Sequence, residues 1–434
     1  MSSTPGAAQP ARPSVHAPES ERGGMPNRWV ILVGGILVQL AIGAVYAWSV
    51  SSRAFQAPES AMHLSKVQAA IPFEVAIGMI FVGTFIGGRI QDRRGPRVVA
   101  LVGVVLYSLG ILLSSFARDA DQLWILILGY GVLSGFGLGL AYIVPIAMLQ
   151  KWFPDKAGLI TGLAVGGFGF GAVITAPVAQ GLLRANPAEP AAAFLPLGLA
   201  YLVLGVLGAL TFRNPPSGYT VAGAPATKAA TTGDDPAGCD FTQAEALRTP
   251  QWYLLTAILA LSVTAGISLI SVASATAIEV AGFTAAGAAA LVGVLGLFNG
   301  AGRILWAAAS DRMGKMPAFV GILAIQGLCL ILIPHAGAAW MFVVLAALIY
   351  TCYGGGFGTM PSTAGQFFGV KNAGGIYGLM LIAWSIGGVA GPLITTALIG
   401  DDKNYTLAFT VIGAISLVGA AIPFITRKPA RPTA

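Results

Sequence analysis

The sequence GRIQDRRGPR (residues 88–97) connects two long apolar segments, and a related sequence, AAASDRMGK (residues 307–315), recurs in the second half of the chain. The aspartate and the second glycine of the first copy lie 219 positions before their counterparts in the second copy. A weaker echo relates KWFPDKAGLITG (residues 151–162) to QFFGVKNAGGIYG (residues 366–378). Repeats in matching positions predict a chain built from two copies of one helical unit in parallel orientation.

The composition is that of a polytopic membrane protein. Of 434 residues, 56% are hydrophobic and 9% are charged, and the mean hydropathy is +0.79. A soluble domain has about 25% charged residues. We therefore expect an all-α membrane protein with twelve transmembrane helices in two pseudo-symmetric six-helix bundles. The apolar segments are 29–51, 66–90, 97–117, 122–149, 157–183, 193–212, 252–275, 286–310, 316–335, 338–366, 373–399 and 405–426.

The longest polar interruption divides the twelve segments six and six. We predict a disordered cytoplasmic tail over residues 1–27, because this stretch is rich in proline, alanine, serine and glycine. The expected order then continues with a first bundle (28–212), a cytoplasmic linker (213–251), a second bundle (252–426) and a short cytoplasmic tail (427–434).

The basic residues predict the orientation. If the amino terminus is cytoplasmic, 18 of the 24 lysines and arginines fall in cytoplasmic segments and five fall outside. This asymmetry is the positive-inside bias, which predicts that both termini are cytoplasmic in a multi-pass protein of the inner or plasma membrane. The same bias explains the net charge of +7 without a nucleic-acid partner.

The sequence carries no pattern typical of catalysis or of cofactor binding. It lacks the spacings of a serine triad, a zinc protease or a phosphate-binding loop, and its three cysteines form no metal or disulfide pattern. We expect neither an enzyme, a cofactor nor a metal site. Without a nucleotide-binding motif, we expect that the chain cannot use ATP.

Arg303 lies deep inside an apolar segment. It is eight residues from Asp311, which is about 12 Å along a helix, while half of a hydrocarbon core is about 15 Å. No acidic residue is placed at a comparable depth. Because an unpaired intramembrane charge is costly and usually functional, we expect the substrate to be the anion that neutralises Arg303.

The repeated GxxxxDRxGxR motif resembles the signature of the major facilitator superfamily. This resemblance implies a transporter in which the aspartates cap neighbouring helices and the arginines bridge loops, which holds the cytoplasmic side closed. The residues expected to have this gating role are Asp92, Arg93, Gly95, Arg97, Asp311, Arg312 and Gly314.

A narrower resemblance is to the oxalate/formate antiporter family and to monocarboxylate transporters. It is carried by NRW (27–29), YAW (46–48), KWFPDKAG (151–158) and NGAGRILW (299–306). Oxalate transporters have a second cation, a lysine, in segment eleven, where this chain has Trp384. Animal monocarboxylate carriers have an aspartate four residues before the arginine, where this chain has Asn299. These differences favour a monocarboxylate substrate. They do not identify the residues that would carry a proton.

Helix arithmetic predicts which side chains share a site with Arg303. Tyr142, Phe357 and Trp384 lie about 13, 15 and 19 Å from the cytoplasmic ends of their segments, near the expected midplane. Tyr142 can donate to a carboxylate that Arg303 binds bidentately, while aromatic rings enclose the carbon skeleton. The predicted substrate-binding residues are Arg303, Asn299, Tyr142, Trp384, Tyr353, Phe357, Tyr46 and Gln68, of which Tyr46 rests on the resemblance.

The expected function is secondary transport of a small monocarboxylate such as lactate or pyruvate. Proton symport is favoured, with protons as the coupling ion, and Glu74 and Glu279 are candidates for carrying them. The alternatives are organic-anion exchange of the oxalate/formate type, an anion sensor without transport, and an intramembrane enzyme. We expect a monomer whose other partners are the substrate and bilayer lipid.

Overall fold

The computed structural model describes residues 26–216, 219, 240–400 and 402–430. These residues form twelve helices that are long and apolar enough to cross a membrane, and no strand. The expectation of an all-α protein with twelve spans is confirmed. The helices are α1 (Arg28–Gln56), α2 (Lys66–Arg94), α3 (Pro96–Ser114), α4 (Ala120–Trp152), α5 (Ala157–Ala185), α6 (Phe194–Leu210), α7 (Pro250–Ala281), α8 (Ala285–Met313), α9 (Lys315–Leu332), α10 (Ala339–Phe368), α11 (Ala373–Ile399) and α12 (Tyr405–Gly419).

Several helices extend beyond the predicted apolar segments. The first continues to Gln56 instead of residue 51, and the second continues to Arg94 instead of residue 90. Hydropathy identifies only the part of a helix that lies within the hydrocarbon layer. The helix itself continues until its terminal backbone groups are capped. Gly95 supplies such an end for α2 by adopting a positive φ of 87°.

The two halves pack internally in the same way. α2 lies on α4, α1 on α5 and α3 on α6, and the corresponding pairs of the second half are α8 with α10, α7 with α11 and α9 with α12. The halves meet through α5 with α8 and through α2 with α11. These two interfaces are related by the same pseudo-symmetry, as the sequence repeat predicts.

Parts of the predicted tail and linker have defined structure. Asn27, predicted to be in the disordered tail, caps α1 by accepting a 3.0 Å hydrogen bond from the Trp29 amide. Within the predicted linker, a short helix spans Gln243–Leu247, and α7 begins at Pro250 instead of residue 252. Residues 1–25, residues 217–218 and 220–239 of the predicted linker, and the last four residues of the predicted carboxyl-terminal tail lie outside the described residues.

The bundles touch in one half of the molecule and separate in the other. We call the end that carries Asn27, Asp92 and Asp311 the terminal face. From this face inward, α5 packs closely on α8 as far as Gly300, where an added Cβ would lie 2.8 Å from the Phe170 ring. One and two turns further along α8, Gly296 and Gly293 have no neighbour within 4 Å. The structure is therefore closed at the terminal face and open toward the opposite face.

Three helices are irregular near the level at which the bundles separate. α1 is wound as a 3₁₀-helix over Ala44–Ala47, and α4 is wound as a π-helix over Ile127–Ser134. α11 is interrupted at Leu381, between the segments Ala373–Met380 and Ile382–Ile399. Such interruptions often accompany functional sites, because they redirect side chains and free backbone groups.

Candidate functional site

Arg303 is completely buried where the two bundles separate. Its side chain is 0% exposed. Its Nε donates to the Asn299 side-chain oxygen and its Nη1 donates to the Val165 carbonyl, both over long distances of 3.4 Å. Among the described residues, no carboxylate pairs with it and its Nη2 has no hydrogen-bond partner. A buried guanidinium with one free edge is suited to bind an anion.

Aromatic rings enclose the guanidinium. The Arg303 Cζ lies 5.1 Å from the centre of the Phe357 ring and 5.6 Å from the centre of the Phe168 ring, within the range of cation–π attraction. Trp384 packs on both of these rings, at 5.0 and 6.1 Å between centroids. Tyr353 adds a further ring, 5.4 Å from that of Phe357. This wall favours a ligand with a small apolar body next to its charge.

Close packing of α8 on α10 positions Arg303 beside Phe357. A Cβ added to Gly354 would lie 2.0 Å from the Asn299 carbonyl oxygen, and one added to Gly358 would lie 2.0 Å from the Arg303 carbonyl oxygen. Only glycine permits this approach of the two backbones. The run Tyr353-GGGF-Gly358 therefore brings the cation of one helix against the rings of the other.

α1 contributes Tyr46 through its 3₁₀ stretch. The hydroxyl of Tyr130, in the π-helical part of α4, donates a 3.1 Å hydrogen bond to the carbonyl of Val45. The Tyr46 ring packs 5.3 Å from Phe168 and 6.4 Å from Trp384. The irregular parts of the two helices thus hold Tyr46 at the interface of the bundles.

Two tyrosine hydroxyls of this cluster lack partners. Tyr46 and Tyr142 have buried hydroxyl oxygens that make no hydrogen bond within the described part of the chain. The Tyr142 ring lies 5.1 Å from Phe168 and 6.0 Å from Trp384. Buried polar groups are costly to leave unpaired. Together with the Arg303 Nη2, the hydroxyls supply donors that a small oxygen-rich anion can satisfy.

Three predicted residues lie away from this cluster. Gln68 is used in a capping box at the start of α2, where its side-chain oxygen accepts a 2.9 Å hydrogen bond from the Ser65 amide. Glu74 is exposed on the same helix. Glu279 accepts a 2.6 Å hydrogen bond from Lys403 near the face opposite the terminal face. Depth along a helix did not predict which way these side chains point.

The two aspartates of the repeated motif connect the bundles at the terminal face. Asp92 of the first bundle accepts a 2.7 Å hydrogen bond from the Gly375 amide at the start of α11. Asp311 of the second bundle accepts a 2.9 Å hydrogen bond from the Leu159 amide at the start of α5. Each carboxylate therefore meets the positive end of a helix in the other bundle.

The other motif residues have different surroundings. Gly95 and Gly314 end α2 and α8 with positive φ angles of 87° and 94°. The Arg97 Nε donates to the Phe212 carbonyl over 3.3 Å, within the first bundle. Arg93 and Arg312 are exposed and form no side-chain hydrogen bond or ion pair to the described residues. The expected bridging of loops by arginine is therefore not seen for these two.

Sequence reasoning missed Phe168. It lies in the glycine-rich stretch of α5, and its ring contacts Tyr46, Tyr142 and Trp384. The available signal for Phe168 was a bulky ring between glycines, since glycines allow another helix to come close.

Comparisons with known proteins agree with this architecture. A sequence model described as Major Facilitator Superfamily matches residues 31–392. An uncharacterised transporter of this type from Escherichia coli, YhjX, is 27% identical over 84% of this chain and 86% of its own length. The oxalate:formate antiporter of Oxalobacter formigenes is 28% identical over 94% of this chain and 93% of its own. Human monocarboxylate transporter 11 is 29% identical over 84% of this chain and 73% of its own.

Solved structures share the fold. A crystal structure of FucP, a transporter captured in the outward conformation, superposes with a TM-score of 0.68 at 17% identity and covers 91% of this chain and 98% of FucP. The proton:xylose symporter XylE superposes with a TM-score of 0.67 at 14% identity, covering 92% of this chain and 95% of XylE.

Proposed function

Because this chain belongs to the major facilitator superfamily, a family of membrane transporters, we propose that it carries a small monocarboxylate across the membrane by alternating access. The observation that supports this proposal is Arg303, a fully buried cation with one unpartnered nitrogen at the junction of the two bundles. A substrate carboxylate would supply the missing negative charge. Similarity to proteins named as monocarboxylate transporters supports the same class of substrate.

The shape of the site favours a short organic acid such as lactate or pyruvate. One cation neutralises one carboxylate, and the rings of Phe168, Phe357 and Trp384 enclose a few carbon atoms. A second carboxylate would be desolvated among these rings without a partner, at a cost of several kcal/mol.

The separation of the bundles supports a rocking mechanism. The positive-inside bias predicts that the terminal face is cytoplasmic in the inner or plasma membrane. On that orientation, the structure is closed to the cytoplasm through Asp92 and Asp311 and is open toward the outside. Substrate would enter from the outside, neutralise Arg303 and allow the bundles to close over it.

Two modes of coupling fit the transport proposal. The sequence favours proton symport, with protons as the partner ion, but the neighbour of Arg303 is Asn299, whose amide does not titrate. The second candidate is anion exchange. An empty site would have to reorient with an uncompensated buried cation, which costs several kcal/mol, whereas a loaded site is neutral. The unpaired state of Arg303 is the observation that favours exchange.

Uptake of labelled lactate into vesicles that contain only the purified protein tests both points. We expect uptake, and we expect Arg303→Lys to reduce it by about tenfold or more, because an ammonium cannot make the planar two-pronged contact. Arg184→Lys, at an exposed position of α5, is the matched control and should retain uptake. Near wild-type uptake by folded Arg303→Ala protein would refute the role of Arg303.

The same vesicles distinguish the modes of coupling. For exchange, unlabelled lactate inside the vesicle should accelerate uptake of labelled lactate strongly, and an imposed proton gradient should have little effect. For symport, the proton gradient should drive accumulation into vesicles that hold no lactate.

A further inference from the structure

Gln39 of α1 is a buried amide at the junction of the three helices that form the first-bundle side of the site. Its side chain is 0% exposed, and its Nε2 donates a 3.1 Å hydrogen bond to the backbone carbonyl of Tyr142 on α4. On α5, a Cβ added to Gly167 would lie 3.3 Å from the Gln39 Cβ. Gln39 therefore contacts α4 at Tyr142 and α5 at the residue before Phe168.

α1 and α5 pack closely at the same level. One turn after Gln39, a Cβ added to Gly43 would lie 2.1 Å from the carbonyl oxygen of Phe168, an approach that only glycine permits. Tyr46 follows within the 3₁₀ stretch of α1. The same part of α1 therefore presents Tyr46, packs on the backbone of Phe168 and holds Tyr142 through the amide of Gln39.

α4 has a weak point next to Tyr142. Pro145 lies one turn further along the helix and has no amide hydrogen, so the carbonyl of Ala141 lacks its usual partner within the helix. A helix bends most easily where its own hydrogen bonds are interrupted. The hydrogen bond from Gln39 is made beside this point, and it limits changes in the direction of the Tyr142 side chain.

Stability alone does not explain the presence of this amide. The Gln39 Oε1 has no hydrogen-bond partner among the described residues, and a buried acceptor without a partner is destabilising. An apolar side chain of similar size would avoid this cost. Polar side chains within membrane spans usually serve a function. The interaction of Gln39 with Tyr142 supplies one.

The second bundle has a different arrangement at the equivalent positions. Tyr142 and Phe357 each precede the echoed sequences by nine residues, and Phe357 has no hydroxyl to orient. Counted from the tryptophans near the starts of α1 and α7, Gln39 corresponds to Ser262. The Ser262 hydroxyl donates to the Gln326 side chain of α9 over 3.5 Å. The bond from an amide to the ring-bearing helix thus occurs in the bundle whose ring carries a hydroxyl.

We propose that Gln39 is a positioning residue, which holds the Tyr142 hydroxyl where it donates to the carboxylate bound by Arg303. This proposal rests on the proposed function, in which a substrate carboxylate occupies the site. Gln39 acts through Tyr142, since its amide is directed at the backbone of α4. Tyr142 and Arg303 belong to different bundles, so a substrate that joins them requires both groups to be held in place, and misplacement of either one weakens binding.

The test is a double-mutant cycle of Gln39→Met and Tyr142→Phe, measured as the KM and kcat of labelled lactate uptake into vesicles that contain the full-length protein. We expect Gln39→Met to raise KM about fivefold, the size expected for weakening one hydrogen bond, and to change kcat less than about twofold. Tyr142→Phe should raise KM at least as much. In the double variant, Gln39→Met should have no further effect, because the hydroxyl that it positions is absent.

Thermal stability separates positioning from support of the fold. Methionine is unbranched, apolar and similar in length to glutamine, so we expect the Tm of Gln39→Met to equal or exceed that of the wild-type protein. Gln39→Leu repeats the test with a different shape. Gln56→Met is the matched control, because the Gln56 Nε2 also donates to a backbone carbonyl, that of Ser52, but within α1 itself. It should leave KM unchanged.

The outcomes separate this inference from the proposed function. Additive effects on KM in the double variant, or a lowered Tm with unchanged KM in both Gln39 variants, would show that Gln39 only supports the fold. An unchanged KM in Tyr142→Phe would overturn the inference while leaving carboxylate transport intact. Absence of uptake of every monocarboxylate by the wild-type protein would contradict the proposed function, and the inference with it.

Discussion

At the scale of single residues, the site depends on one charge and its surroundings. Arg303 is buried without a carboxylate partner in the described chain, whereas Trp384 lies where a transporter of dicarboxylates would benefit from a second cation. The indole is 3% exposed and packs on Phe357 and Tyr142. On the proposed function, Trp384 is therefore the residue at which both the charge and the shape of the substrate would be selected.

Trp384→Lys should change the preferred substrate from monocarboxylates to dicarboxylates. The variant would place a second cation in the site, and a dicarboxylate neutralises two cations where lactate neutralises one. We expect oxalate to inhibit uptake of labelled lactate at least tenfold more effectively than in the wild-type protein, and lactate itself to bind more weakly.

Trp384→Phe is the control for that substitution, because it shortens the wall without adding charge. It should alter the affinity for each acid without reversing the order of the affinities for lactate, formate, oxalate and malonate. If the order of affinities is not reversed in folded Trp384→Lys protein, or if the wild-type protein binds oxalate tightly, Trp384 does not determine the selectivity.

At the scale of helices, the terminal face is closed by side chains at helix ends. Asp92 and Asp311 are pseudo-symmetric, but their surroundings differ. Asp311 also pairs with Lys315 at 2.6 Å, whereas the equivalent position in the first half is Pro96. One oxygen of Asp92 has no partner among the described residues. The closure through α11 therefore depends on fewer contacts than the closure through α5.

Asp92→Ala should loosen the Ala373–Met380 segment of α11. Loss of a capping carboxylate costs about 1 kcal/mol, which corresponds to about a fivefold increase in opening. Hydrogen–deuterium exchange of residues 373–380 should accelerate by this factor, and transport should decrease because the closed state is less populated.

The control is Asp119→Ala, which removes a cap within one bundle at the opposite face, where the Gln122 amide donates to Asp119 over 3.1 Å. It should leave exchange in residues 373–380 unchanged. Equal exchange in the Asp92 and Asp119 variants would show that the carboxylate does not hold α11.

At the scale of the whole molecule, two related interfaces form a hinge near the terminal face. α5 with α8 and α2 with α11 are in contact there, and the face of α8 that carries Gly296 and Gly293 is free beyond it. The short helix Gln243–Leu247 adds to this side, since Gln243 donates to the Gly375 carbonyl over 2.8 Å and accepts from Arg89. The linker thus helps to join the bundles at the closed end.

Labelling of Cys239 tests the predicted orientation of this end. The other two cysteines, Cys329 and Cys352, are buried, so a membrane-impermeant maleimide should report on the linker. We expect no labelling of intact cells and clear labelling after permeabilisation, because the linker is predicted to be cytoplasmic.

Ala61→Cys, at an exposed position between α1 and α2, is the matched control and should react in intact cells. Labelling of Cys239 from outside would show that the predicted topology is wrong, and the open face would then be assigned to the cytoplasm.

The sequence by itself determined the twelve spans, the repeat that relates the two halves and the position of Arg303 deep within its span. These properties can be obtained from local patterns. Hydropathy identifies the segments that cross the bilayer, and the repeat shows that the two halves are related. The number of helical residues between Arg303 and Asp311 gives the depth of Arg303 in its span. The tertiary structure alone decided which side chains meet. Phe168 joins the rings around Arg303 while Gln68 and Glu279 do not, because the packing of the helices sets the direction of each side chain. The hydrogen bonds from Thr84 to Gly378 and from Arg303 to Val165 join residues 294 and 138 positions apart, so no local pattern encodes them.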